Sequence, residues 1–121
     1  RDDLDLPIGA TKMTFARGSG GHKGVESIMR AIKTDQFVQL KIGISAPALR
    51  SLSGAGGKGK SGSFSAKATK DKEEKVLKHV IGKFAPKDEA AVKKVMKKSA
   101  EALRLFVTEG IEPATMFANT R

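Results

Sequence analysis

Apolar residues recur along this chain with two different periods. In "TKMTFA", Met13 and Phe15 alternate with polar neighbours, and in "FVQLKIGIS", Val38, Leu40, Ile42 and Ile44 stand two apart before Pro47. A period of two predicts half-buried strands over both stretches. Between them "VESIMRAI" sets Val25, Ile28, Met29 and Ile32 three and four apart, which predicts an amphipathic helix crossing the sheet. A longer helix is predicted in "DEAAVKKVMKKSAEALRLFVTEG", with Asp88 as N-cap, Val92, Val95, Met96, Leu103, Phe106 and Val107 as its apolar stripe, and Gly110 as its stop. "IEPATMFANTR" reads as one more short helical turn begun by Pro113. In "EEKVLKHVIGKF" the apolar residues Val76, Leu77, Val80, Ile81 and Phe84 fit a strand flanked by a helical turn, but periodicity does not decide it.

Residues 48–72 break both periods. The segment is rich in Gly, Ser and Lys with a single Phe, and is expected to be a mobile basic insertion. Within it "GAGGKGKS", Gly54 to Ser61, matches the phosphate-binding pattern G-x-x-x-x-G-K-S. That pattern binds phosphate only where a buried strand enters it and a helix leaves it. Here the preceding strand is expected to end at Ser45, and "GSFSAKATK" has no helical apolar face. The low-complexity reading is preferred over nucleotide binding.

Charge narrows the partner. With 121 residues, one domain and one modest core are expected over 1–121. Lys and Arg number 23 against 13 Asp and Glu, a formal net charge of +10, which favours a polyanion: nucleic acid first, an anionic membrane second. Phe is the only aromatic residue type, so stacking on single-stranded bases has little to work with, and recognition through backbone and shape is expected. Cys is absent, which removes thiolate chemistry. No apolar run approaches the roughly 20 residues of a membrane span, and a membrane partner is not expected. Lys93, Lys94, Lys97 and Lys98 fall opposite the stripe of the long helix, as a solvated face or as one that meets a polyanion.

The segment "RGSGGHKG", Arg17 to Gly24, joins the first predicted strand to the first helix. Glycine there permits positive φ and close approach of a ligand, and a helix starting after it aims free N–H groups at the same space. By themselves these features describe a place to hold a phosphate.

Taken together, "DDLDLPIG", "GSGGHKGVESI", "QLKIGIS.P" and "VIGKF" resemble, in order and spacing, the bacterial-type peptidyl-tRNA hydrolases, a family also found in mitochondria and chloroplasts. The resemblance covers the chain outside the insertion and matches roughly the C-terminal two thirds of the family pattern. It implies an α/β fold, a single domain with a twisted mixed sheet flanked by helices. It also implies hydrolysis of the ester between peptide and tRNA, without metal or cofactor, by a monomer that recycles tRNA for translation. The first residue is Arg1, and the family's catalytic histidine and its asparagines belong to an N-terminal portion that this chain is expected to lack. The chain alone is accordingly expected to be inactive. The alternative is a noncatalytic RNA-binding or ribosome-associated protein that keeps the fold.

The resemblance assigns roles residue by residue. Asp2 falls where the family has its catalytic aspartate, which orients the base; read without the family it is a strand-edge or turn carboxylate. Gly20 and Gly21 fall where backbone approaches the peptide and the tRNA 3′ end, with His22 beside them in the cleft, so the loop becomes a wall of the substrate site. Lys23 stands where the family usually has asparagine. Lys41 stands where it often has an arginine near the tRNA; otherwise Lys41 is an outward-facing strand residue. Lys58 and Lys60 in the insertion are weaker candidates for the same charge. Asp5 is read as structural and His79 as a packing residue. The Lys- and Gly-rich insertion hints by composition at a eukaryotic protein, so a mitochondrial or cytoplasmic location is expected.

Overall fold

A computed structural model of the chain describes residues 1–46, 74–75, 77–80 and 82–120. The segment 48–72, with its phosphate-loop look-alike and Lys58 and Lys60, lies outside the described residues. The elements in chain order are β1 (Asp2–Pro7), β2 (Thr11–Phe15), α1 (Lys23–Ile32), β3 (Val38–Ser45), a 3₁₀ turn at Pro86–Asp88, α2 (Glu89–Glu109) and α3 (Ile111–Asn119). Residues 74–75 and 77–80 are helical, so the strand reading of "EEKVLKHVIGKF" does not hold where it is described.

The sheet is mixed, in the order β1-β3-β2. β1 runs parallel to β3 and β2 antiparallel to it, with Met13 opposite Leu40 and Lys12 opposite Lys41. Between the pairs Asp3↔Gly43 and Pro7↔Ser45, three residues of β1 face one residue of β3. β1 therefore bulges. Asp3 holds the bulge, its Oδ1 accepting the backbone N–H of Asp5 at 2.9 Å, the local turn that aspartate favours.

Met13 carries the core, packed with Ala102 of α2 and Ala114 and Ala118 of α3, with Val38, Leu40 and Leu105 against them. The outer edge of β2 is closed by Asn119, whose Oδ1 accepts the Met13 N–H at 2.7 Å and whose amide donates back to the Met13 carbonyl at 3.4 Å. One side chain thus stands in for a strand partner at an edge that would otherwise be open. Beside it the buried Thr11 hydroxyl donates to the Ala118 carbonyl at 2.6 Å, one of the acceptors that the end of α3 leaves without a helical partner. Thr11→Val keeps the shape and removes the donor, and should cost about 1–2 kcal/mol, read from the shift of a urea unfolding midpoint.

Three expected apolar faces differ from those observed. In α2 the buried row is Val95, Ser99 and Ala102. Met96, Leu103 and Val107 are exposed. α2 and α3 meet through alanines, and small side chains permit the closest approach, so the large apolar residues are pushed off the contact line. In α1 only Val25 is buried, and Ile28 and Ile32 are each about half exposed. On β3 the buried positions are Gln39, Gly43 and Ser45 rather than the apolar set: the loop at Arg17 and Gly18 lies against Gln39, and the carbonyls of Leu6 and Pro7 lie over Gly43. Asp88 makes no side-chain cap bond; the 3₁₀ turn leads into α2 instead.

Candidate active site

The glycine-rich loop is tied to the sheet at several points. Gln39 on β3 donates to the Arg17 carbonyl at 2.6 Å, and Arg1 donates to the Ser19 carbonyl at 2.8 Å. Gly20 and Gly21 are both left-handed, with φ of 59° and 80°, a conformation costly for any residue with a Cβ. The turn they make lets the His22 N–H reach the Ser19 carbonyl at 3.1 Å. The Ser19 hydroxyl accepts the Gly21 N–H and donates to Glu26 in α1.

His22 is thereby placed as the N-cap of α1. Its Nδ1 accepts the Val25 N–H at 3.2 Å, and its Nε2 lies 2.8 Å from Oδ1 of Asp2. A nitrogen that accepts an amide N–H carries no proton, so the neutral ring is protonated on Nε2 and donates to Asp2. Both ring nitrogens are committed. Burial pushes the Asp2 carboxyl up, but the hydrogen bond from His22, the backbone N–H and nearby positive charge together outweigh it, and Asp2 stays below its ordinary value of 3.8. Asp2 remains partly open to solvent, its side chain 40% exposed.

The structure thus brings together Asp2, Gly20, Gly21 and His22. It sets the two lysines apart from them. Lys23 is 90% exposed and lies 3.7 Å from Glu26. Lys41 is 17% exposed, with its ammonium 3.7 Å from Asp3. Consecutive strand residues point to opposite faces, so Asp3 and Lys41 share the face that Asp2 does not use. Asp5 is exposed on the bulge. His79 makes a hydrogen bond through Nε2 to the Ile44 carbonyl, a link between the 77–80 helical stretch and β3 that packing alone does not describe. Sequence reasoning missed Asp3, Ser19 and Gln39 as the residues that fix the loop and strand; their partners become visible only once the register is known. It also missed the bond between His22 and Asp2, although the preference for a polar side chain just before a helix was a usable signal.

The chain has relatives among known proteins. Residues 1–55 match the family model described as peptidyl-tRNA hydrolase. Over 120 residues the chain is 36% identical to the peptidyl-tRNA hydrolase of Hydrogenobaculum sp. (strain Y04AAS1), covering 99% of this chain and 52% of that protein. Over nearly its whole length the chain is similar to a peptidyl-tRNA hydrolase. A second hydrolase, from Aquifex aeolicus, is 33% identical over 118 residues, which are 98% of this chain and 50% of that protein. The chain thus spans about half the length of the curated relatives it matches. The crystal structure of peptidyl-tRNA hydrolase from Acinetobacter baumannii superposes with a TM-score of 0.71 at 24% identity, covering 99% of this chain and 49% of that one. The two share a mixed α/β fold. Among the described residues no helix is long and apolar enough to cross a membrane.

Proposed function

We propose that this chain forms part of a site that hydrolyses the ester between peptide and tRNA, releasing both for further rounds of translation. The observation that carries the reading is the bond between His22 and Asp2 within the family's loop motif. Ester hydrolysis requires a water that loses a proton as it attacks the carbonyl carbon, donors for the resulting oxyanion, and a proton for the departing 3′ oxygen. Asp2 supplies the fixed carboxylate. With Oδ1 held by His22, Oδ2 is left to orient a base and to stabilise the positive charge that forms on it.

His22 is a positioning residue in this scheme. Its committed nitrogens put the base among groups other than those described, and they support the expectation that the chain assayed alone turns over little. Gly20 and Gly21 form the wall along which peptide and tRNA 3′ end lie, and Lys23 and Lys41 contribute charge toward the tRNA from either side of the sheet. The protein acts as a monomer, with tRNA as its partner. It works in the cytoplasm or, on composition, the mitochondrion; the relatives named above are bacterial and favour the first.

The test is release of peptide from peptidyl-tRNA by a protein containing this sequence, with tRNA affinity measured alongside. His22→Ala should lower kcat roughly tenfold to a hundredfold, because Asp2 loses its anchor, and His22→Gln, which offers Asp2 an amide donor, should restore part of it. If His22→Gln is as inactive as His22→Ala while Asp2 stays in place, the imidazole is itself the base. Binding of tRNA without any release of peptide by the unaltered protein would instead favour the noncatalytic RNA-binding reading.

A further inference from the structure

We propose that Gln39 and Arg1 act together as positioning residues for the reaction: from neighbouring strands they hold three successive carbonyls of the glycine-rich loop and so set the contact between His22 and Asp2. The inference rests on the proposed function above and deepens it. Gln39 Nε2 donates to the Arg17 carbonyl at 2.6 Å and reaches the Gly18 carbonyl at 3.4 Å. Arg1 Nη1 donates to the next carbonyl, that of Ser19, at 2.8 Å. The same Ser19 carbonyl accepts the His22 N–H at 3.1 Å and closes the turn that carries the imidazole. Moving it moves His22.

Arg1 is braced in turn. Its Nη2 lies 3.4 Å from Oδ2 of Asp3, whose other oxygen holds the bulge of β1. Two adjacent aspartates thus fix the two ends of one short stretch of loop from opposite faces of the strand. Asp3 acts through Arg1 on Ser19, and Asp2 bonds His22 directly. Half of the residues from Arg17 to Gly24 are glycine, which loses more conformational freedom on ordering than any other residue. A loop of this composition stays in one conformation only where side chains hold it.

Packing alone does not account for either side chain. Gln39 is 5% exposed, and its Oε1 is buried without a hydrogen-bond partner among the described residues, as is Nε of Arg1. A buried polar atom left unpaired is costly, and an apolar side chain of similar size would fill position 39 without that cost. Thr14 stands directly opposite Gln39 on β2, and its hydroxyl is also buried and unpaired among the described residues. A bond from that hydroxyl to Oε1 would satisfy both; instead the loop carbonyls orient the Gln39 amide. What the two residues supply is donors, placed where the loop needs them.

The experiment compares a protein containing this sequence with three variants. Gln39→Glu keeps the shape but turns carboxylate oxygens on the loop carbonyls, Gln39→Met keeps the length without a donor, and Arg1→Lys keeps the charge beside Asp3 but loses the fork. Backbone amide order parameters from nuclear magnetic resonance are read at Gly18, Ser19, Gly20 and Gly21, and at Met13, whose amide Asn119 holds. Peptide release gives kcat and KM. In each variant the loop values should fall from the rigid level of about 0.85 to below about 0.6, with Met13 unchanged. The kcat should fall roughly tenfold, as a displaced site requires, and KM should stay within about twofold in Gln39→Met and Arg1→Lys, which leave the net charge as it is. An unchanged loop, or an unchanged kcat in a variant whose loop has loosened, would overturn the inference. A variant that loses order at Met13 as well would make its residue a packing residue and overturn the inference for it. If the unaltered protein releases no peptide, the proposed function fails, and the order parameters alone decide whether the two side chains hold the loop.

Discussion

Gly43→Ala should destabilise the protein by about 3 kcal/mol or more, at the upper end of overpacking effects. A Cβ at position 43 would stand 2.0 Å from the Pro7 carbonyl oxygen and 2.8 Å from the Leu6 carbonyl oxygen. Both obstacles are backbone, so no side chain can turn aside. They are there because of the bulge: with Leu4, Asp5 and Leu6 all opposite Ile44, β1 folds its carbonyls down onto β3 at the one position without a side chain. The methyl must push β1 outward, and Asp2 rides on that strand. The same variant should therefore lose the Asp2–His22 contact as well as stability. Urea unfolding gives the first effect, and the His22 ring resonances give the second. A midpoint within error of wild type would show that β1 yields freely and that the bulge is not fixed.

How far the site could be read beforehand depended on which forces are local. The β3 end at Ser45 and the break at Gly110 follow from period and glycine and appear where the pattern put them, whereas α1 starts at Lys23, two residues ahead of the Val25 at which the apolar spacing begins. The glycine-rich loop was legible for the same reason, since Gly20 and Gly21 do adopt left-handed backbone. What stayed hidden was non-local. The bulge depends on the pairing of β1 with β3, and the alanine seam between α2 and α3 depends on how closely two helices meet. Asp3 shows the limit most clearly: beside Asp2 in "DDLDLP" it looks equivalent, yet one carboxylate faces His22 and the other is buried among Arg1, Lys41 and the Asp5 amide. One step along a strand separates the two roles.

Asp2→Asn should lower turnover of peptidyl-tRNA by a hundredfold or more in a protein containing this sequence, within the range that loss of an orienting carboxylate produces. An asparagine keeps size and position, and its carbonyl still accepts the His22 N–H. It cannot offset the charge that grows on a base as water is deprotonated. The effect should fall on kcat, because a carboxylate adds no attraction to a polyanionic substrate. The pH dependence has a definite sign. Asp2 lies below its ordinary value of 3.8 in the folded chain, so the stability contributed by its ionised form is fully present above that value and is lost only as pH falls through the lower folded one. Asp2→Asn should thus destabilise near neutrality and converge with wild type at strongly acid pH.

The central claim, that Asp2 acts in ester hydrolysis while His22 holds it, is tested most directly by the single-turnover rate of peptide release from bound peptidyl-tRNA, wild type against Asp2→Asn, at saturating protein. The account predicts a rate reduced at least about a hundredfold with a tRNA Kd within about twofold of wild type. Equal rates in the two proteins would contradict it and return Asp2 to a strand-edge carboxylate.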